Sequence, residues 1–227
     1  MVNVTNSLNQ ICLMKMDHIK QQIMSVFATP VMARKVPELE AINLRLKEIV
    51  LARETVRPRN IGSNIGGWQS DHDLMQWSEP EMEIFNEHLG IAIQEMTSAT
   101  VNDLPPEMDI IVTGWANVAR NGSYSRAHSH DGSLWSAIYY VAVEPPTTDH
   151  PYSGLLSFID PRSGARTLPN MSDPFGYHLD IQPEEGLLVV FPGWLLHEVH
   201  PFYGKGERIS LSANALFVPD MEGADAS

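Results

Sequence analysis

Two groups of side chains have types and spacings that could do chemistry. His128-Ser129-His130-Asp131 sets two imidazoles at i and i+2, so on a strand both rings face one way and can reach a single ion. Asp131 would then face the opposite side. A third imidazole, His197, ends the run Phe191-Pro192-Gly193-Trp194-Leu195-Leu196-His197, after the apolar strand Leu187–Phe191, from where it would close a three-point site across a barrel. Neutral imidazoles suit iron, zinc, copper or nickel, so ligand type alone does not select the metal. A lone strand histidine is usually a satisfied polar residue; the pair, the third ring and the Arg-x-Ser downstream of it argue for metal. His200 competes with His197, since His197-x-x-His200 would chelate on a helix, but the preceding strand and Pro201 favour an extended backbone that separates the rings. His18, His72, His88, His150 and His178 fall in expected loops or helix surfaces and receive no role.

Arg208 and Ser210, again at i and i+2, share one face of a strand that otherwise reads Ile209, Leu211, Ala213, Ala215. A guanidinium grips a carboxylate through two parallel hydrogen bonds, and a neighbouring hydroxyl adds a third. An interior arginine needs an anionic partner, because an unpaired buried charge is costly. That partner is either an internal Asp or Glu, or a carboxylate-bearing ligand beside the metal.

These residues need a frame. Of 227 residues, 43% are hydrophobic and 19% charged, which is ordinary for one globular domain. Helical patterns occupy the chain before Pro106, and β-rich runs occupy it afterwards. Residues 38–54 repeat apolar positions at 3–4 spacing and predict a helix; a second is predicted from a capping box, Ser78-x-x-Glu81, with Pro80 in its first turn and Met82, Phe85, Leu89, Ala92 and Met96 as its seam. Strands are expected at 109–118, 134–143, 155–159, 186–191 and 208–218, with an edge strand over 25–36 around Pro30. The fold class expected is mainly β with flanking helices, a double-sheet jelly roll buttressed on one sheet. Residues 1–24 read as an extension and 25–227 as a single domain, helices mainly in 37–100 and barrel mainly in 107–218. The Gly-rich stretch from Gly62 to Asp73 reads equally as a rim of the site or as a loop into a short helix capped by Ser70.

A formal charge of −13 argues against nucleic acid, whose phosphates require clustered Lys and Arg. The single cysteine, Cys12, excludes an internal disulfide and a Cys-rich zinc module. Without a long apolar stretch or a signal-like start, no membrane association and a cytoplasmic location are expected.

Taken together, Ser63-Asn64-Ile65-Gly66-Gly67-Trp68, Trp115-Ala116-Asn117-Val118, His128-Ser129-His130, Ser136-Ala137-Ile138-Tyr139-Tyr140-Val141, Asp160-Pro161-Arg162, Phe191 to His197 and Arg208-Ile209-Ser210 resemble a family of 2-oxoglutarate/Fe(II)-dependent oxygenases of bacteria and phages, related to prolyl-4-hydroxylase-like enzymes. The resemblance covers roughly residues 25–218. It implies a cupin-like double-stranded β-helix holding Fe(II) through His128, His130 and His197, with the tail of the co-substrate 2-oxoglutarate on Arg208 and Ser210. It also points to Tyr140 as a contact to that tail, and less directly to Asn117 in the same pocket. The wider superfamily has an acidic residue where His130 stands, so either the site is three-histidine or Asp131 reaches in through a distorted strand.

The function expected is hydroxylation of a small molecule or side chain by O2, coupled to decarboxylation of the keto acid to succinate and CO2, with no catalytic residue beyond the metal site. Two alternatives compete with it: a three-histidine cupin dioxygenase that uses no keto acid, and a non-catalytic metal-binding jelly-roll module. Trp68, Trp135, Arg162 and the loops 144–153 and 160–180 are candidates for the substrate entrance.

Overall fold

The computed structural model describes residues 27–59, 62–101, 108–145, 149–162 and 178–219. In chain order these form β1 (Met32–Lys35), α1 (Pro37–Glu40), α2 (Asn43–Val56), β2 (Asn64–Ile65), β3 (Trp68–Gln69), a 3-10 turn (Leu74–Gln76), α3 (Pro80–Thr100), β4 (Met108–Ala119), β5 (Tyr124–His128), β6 (Trp135–Ala142), β7 (Leu156–Ile159), β8 (His178–Ile181), β9 (Leu187–Pro192), β10 (His197–Val199) and β11 (Arg208–Pro219). The expectations placed on residues 1–24, with Cys12 and His18, and on residues 163–177 of the 160–180 loop, lie outside the described residues.

The strands make a six-stranded sheet, β1-β9-β6-β11-β4-β3, and a five-stranded sheet, β2-β5-β10-β7-β8, with every pairing antiparallel. From β4 to β11 the chain steps back and forth between them: β4, β6, β9 and β11 fall in the larger sheet, β5, β7, β8 and β10 in the smaller. That winding is the jelly roll expected from the strand spacing. β1 keeps the edge position foreseen for it, although only Met32–Lys35 pair.

Period-two alternation divides the larger sheet into two faces. Ala116, Val118, Tyr139, Val141, Leu188, Val190, Ile209 and Leu211 face the helices and form one core with Leu46 and Val50 of α2 and Phe85, Leu89 and Met96 of α3. The opposite face meets the smaller sheet, where Ile138, Tyr140, Val189 and Phe191 pack with Leu156, Phe158 and Leu195. Trp68 and Trp135 belong to the helix-side core, with indole N–H groups donated to the Arg57 carbonyl and the Thr97 hydroxyl. Neither reaches a substrate entrance.

Three local expectations differ from the structure. The predicted helix over 38–54 is two helices, because the chain turns at Ala41–Ile42 and seats buried Asn43 where its Oδ1 accepts the Tyr139 hydroxyl at 2.7 Å. The capping box at Ser78 does not form: α3 starts at Pro80 behind Glu79, whose carboxylate is held instead by Arg53 through bonds of 2.7 and 2.9 Å. Ser70 caps nothing; its hydroxyl accepts the Ala116 N–H and donates to the Asp71 carbonyl, pinning this loop to β4.

Candidate functional site

β5 and β10 lie side by side in the smaller sheet, and their register sets His197 directly opposite His128. The third ring is therefore supplied by the neighbouring strand, not from across the barrel as expected. His130 is not in a strand either. β5 ends at His128, and the 129–134 turn carries His130 back over the sheet, tied down by its own N–H to the Gly193 carbonyl at 2.7 Å. Gly193 makes this approach possible, since a Cβ there would run into the backbone carbonyls of His130 and Ser133. The Pro-Gly in the β9–β10 connection thus serves to dock one histidine loop against the other.

The outcome is a cluster in which one nitrogen from each of His128, His130 and His197 lies within 4.8 Å of the others, the grouping among the described residues able to hold a metal. Ring centroids are 4.3 Å apart for 128–197, 5.0 Å for 128–130 and 5.2 Å for 130–197. Asp131 is exposed and accepts the Ser129 hydroxyl at 2.8 Å, so it stays outside the cluster. His200 also turns away, onto Ser157 at 3.0 Å.

Tautomer is set by the hydrogen bonds. Nδ1 of His128 lies 2.7 Å from the Arg126 carbonyl, and Nδ1 of His197 lies 2.9 Å from the Leu195 carbonyl. A carbonyl only accepts, so both Nδ1 atoms carry the proton and Nε2 is the ligand atom of each ring, that of His128 accepting the Ser63 hydroxyl at 3.2 Å until a metal displaces it. Burial, reinforced by the His128 ring, pushes His197 down to about 3 and His130 down to about 4; burial also lowers His128. All three are neutral near pH 7, the form a metal requires. Nitrogen donors of this kind fit a ferrous ion, among other first-row metals.

Arg208 and Ser210 open β11 on the inner face of the larger sheet, 4% and 3% exposed. The salt bridge that would have explained Arg208 internally does not exist among the described residues, and its Nε is buried with no hydrogen-bond partner. The Tyr140 ring stands 4.9 Å from the guanidinium carbon, and its hydroxyl is also buried and unpartnered. Burial raises the Tyr140 phenol, an effect opposed by the Arg208 charge and by the approach of the Arg208 side chain to the hydroxyl, although no bond of normal geometry joins them. Two orphaned buried polar groups side by side are rare in a folded core and mark a place where a further acceptor fits.

One cleft joins these parts, lined by His128, His130 and His197 together with Arg208 and Ser210. Asn117 also lines it; its amide donates to Ser212 at 3.2 Å and its Oδ1 accepts from Asn64. Tyr140 lies behind this lining, in the inter-sheet core. No Asp or Glu among the described residues lines the cleft. The Gly62–Asp73 stretch supplies Ser63, Asn64 and Gln69 to the lining of this cleft, and Ser63 Oγ approaches His128 Nε2 at 3.2 Å.

Trp115, Ser212 and Ser123 also line the cleft and were not singled out from sequence. A signal was present for two of them. The period that pairs Arg208 with Ser210 runs on to Ser212, and from Asn117 back to Trp115. Arg162 pairs with Asp160 in its own loop.

A model of the family described as "Putative 2OG-Fe(II) oxygenase" matches residues 113–214, the span from β4 to β11 that carries every residue of the cluster and the anchor. No curated protein matches the sequence. Among solved structures, a Pseudomonas putida prolyl-4-hydroxylase is 19% identical with a TM-score of 0.55, over 83% of this chain and 93% of the other. A Trichoplax adhaerens prolyl hydroxylase, in complex with a hypoxia inducible factor oxygen degradation domain peptide fragment, is 14% identical with a TM-score of 0.55 over 88% of each chain. HygX from Streptomyces hygroscopicus, with nickel and 2-oxoglutarate bound, is 12% identical with a TM-score of 0.51, over 85% and 84%. At such identities the likeness carries the fold, the double-stranded β-helix expected from sequence.

Proposed function

We propose that the chain is an oxidoreductase of the 2OG-Fe(II) oxygenase family, whose model matches residues 113–214, and that it hydroxylates a C–H bond of a small molecule or side chain while 2-oxoglutarate is decarboxylated to succinate and CO2. In this reading His128, His130 and His197 hold the ferrous ion, Arg208 and Ser210 take the far carboxylate of the keto acid, Tyr140 adds its hydroxyl, and Asn117 borders the same ligand. When bound, the iron supplies the activation of O2 that no protein side chain can perform.

The chain's own contribution is placement. The Arg126 and Leu195 carbonyls fix the His128 and His197 rings, so these donors need no reorganisation when the ion arrives. Three neutral imidazoles add no negative charge, so the site keeps the whole charge of a divalent cation and favours a dianionic ligand over a neutral one. Arg208 gives a bidentate grip at the other end of that ligand, and burial strengthens the grip. Ile138, Val199 and Phe202 line the cleft and restrict water.

The observation that carries the reading is the buried guanidinium with an unpartnered Nε, sharing one cleft with the three imidazoles. It favours a keto-acid-using enzyme over a three-histidine dioxygenase, which has no use for the anchor. The test is turnover without added substrate: protein given Fe(II), O2 and 2-oxoglutarate labelled at C1 is expected to release labelled CO2 and succinate slowly. Absence of succinate from the metal-loaded wild type would overturn the reading.

A further inference from the structure

On the outer side of a segment that borders the cleft lies a second, open cavity. Residues 199–203 separate the two. Val199 and Phe202 line the reaction cleft, whereas His200, Pro201 and Tyr203 line the outer cavity. The opposite wall is the turn that carries Asp149, His150 and Tyr152.

Four ring side chains stand in this cavity. His150 lies nearly parallel on Tyr203, with centroids 4.0 Å apart, and Tyr152 faces His200 at 6.1 Å. Tyr152 is 63% exposed, an unusual cost for an aromatic ring that serves only packing. No Lys or Arg among the described residues lines the cavity, and one carboxylate, Asp149, does. Asp149 is in its wall, and a Glu198 oxygen lies 3.9 Å from His200 Nε2. Asp180 accepts the Ser157 hydroxyl at 2.6 Å, and that same hydroxyl contacts His200 at 3.0 Å. Because the Ser157 proton goes to Asp180, His200 Nε2 is the donor in its own contact, which fixes the ring's orientation.

The walls are stitched together in advance. Ser153 Oγ accepts the Tyr203 N–H and donates to the Tyr203 carbonyl, Gly154 donates to the Pro201 carbonyl, and His200 donates to the Leu155 carbonyl. An open pocket edged by rings, with the Asp149 carboxylate in its wall and no Lys or Arg lining it, attracts organic cations, which draw on both the exposed ring faces and the carboxylate. We propose that the cavity walled by Tyr152, Tyr203, His150 and His200 is a binding site for an alkylated ammonium group. It is separate from the reaction cleft and independent of what that cleft oxidises.

The test compares choline with its uncharged isostere 3,3-dimethylbutan-1-ol, titrated into the full-length protein by calorimetry or saturation-transfer NMR. Choline is expected to bind about tenfold or more tightly than the isostere, and Tyr152→Leu should weaken choline by a similar factor. Tyr152 is exposed enough for the variant to fold, and unchanged 2-oxoglutarate binding would confirm that it has. A trimethyl-lysine peptide distinguishes the source: tighter binding than choline identifies a partner's side chain, weaker binding a free metabolite, and both support the site. Equal binding of choline and the isostere, no binding of choline or the peptide, or choline binding unaffected by Tyr152→Leu would each overturn the proposal.

Discussion

Tyr139 and Tyr140 are neighbours on β6, both fully buried, and they mark two different kinds of interior. Tyr139 points to the helix side, where its hydroxyl donates to Asn43 at 2.7 Å and its surroundings are closed. Tyr140 points between the sheets, where its hydroxyl has no partner and Arg208 lies across its ring with Nε also unsatisfied. β11 repeats the contrast. Ile209 and Leu211 fill the helix-side core, while Arg208, Ser210 and Ser212 line the cleft. One face of the sheet is filled by apolar side chains, with the Tyr139–Asn43 bond among them and the Asn43 amide nitrogen left without a partner; the other places a buried cation and hydroxyls along a cleft. A face that retains such groups sacrifices stability for a ligand.

That contrast can be broken by substitution, and the largest effect is expected at the cluster itself. His197→Ala should weaken retention of Fe(II) or Ni(II) by more than ~100-fold, beyond the range seen for outer-shell partners, with little loss of folding. Equilibrium dialysis against a metal buffer would read it; near-wild-type retention would remove His197 from the set.

Next in size is acid sensitivity of the metal-free protein. His130 and His197 titrate near 4 and 3 when folded but near 6.5 when unfolded. Between about 6.5 and 4 the unfolded chain therefore binds protons that the folded chain refuses, and stability falls as pH falls, by a few kcal/mol in all. Thermal unfolding of the metal-free protein from pH 7.5 to pH 5 should show a falling Tm, and the fall should flatten in His197→Phe.

A smaller effect is expected at Gly154, which sits at φ +66° with an added Cβ 3.0 Å from Arg208 Cδ. Gly154→Ala would strain the turn and push the guanidinium aside, lowering 2-oxoglutarate affinity by roughly tenfold, in line with misplacement of a positioned group.

The finest test sets the two tyrosines against each other. Tyr139→Phe loses a satisfied buried hydrogen bond and should cost about 1 kcal/mol of stability without altering keto-acid binding. Tyr140→Phe should leave stability unchanged or slightly higher and weaken 2-oxoglutarate by a few-fold. The reverse pattern would mean that the two faces had been misassigned.

Much of this was legible in the residues alone. The imidazoles brought together are those singled out by spacing, and the strand parity of Arg208 and Ser210 put both on the inner face. What spacing could not convey was how the rings meet. His130 left its strand because Gly193 allows the 129–134 turn to fold onto the β9–β10 connection, a contact between residues roughly sixty positions apart. His197 became a cross-strand neighbour of His128 because the chain alternates between sheets, which no local pattern encodes. The Ser78 capping box failed for a similar reason: Arg53, on another helix, holds Glu79 and fixes the start of α3 by a tertiary contact. The Gly-rich stretch was ambiguous because β2 and β3 are two-residue strands, too short for periodicity to register.

The central claim is that one dicarboxylate lies between a three-imidazole metal centre and Arg208. Calorimetric titration of the Ni(II)-loaded protein with 2-oxoglutarate, and with 2-oxobutyrate, which lacks the far carboxylate, tests it directly. Wild type should prefer 2-oxoglutarate by roughly 100-fold, as a charge-assisted bidentate pair implies, and Arg208→Ala should lower 2-oxoglutarate to the 2-oxobutyrate level while retaining nickel. An Arg208→Ala protein that still prefers 2-oxoglutarate as the wild type does would contradict the account.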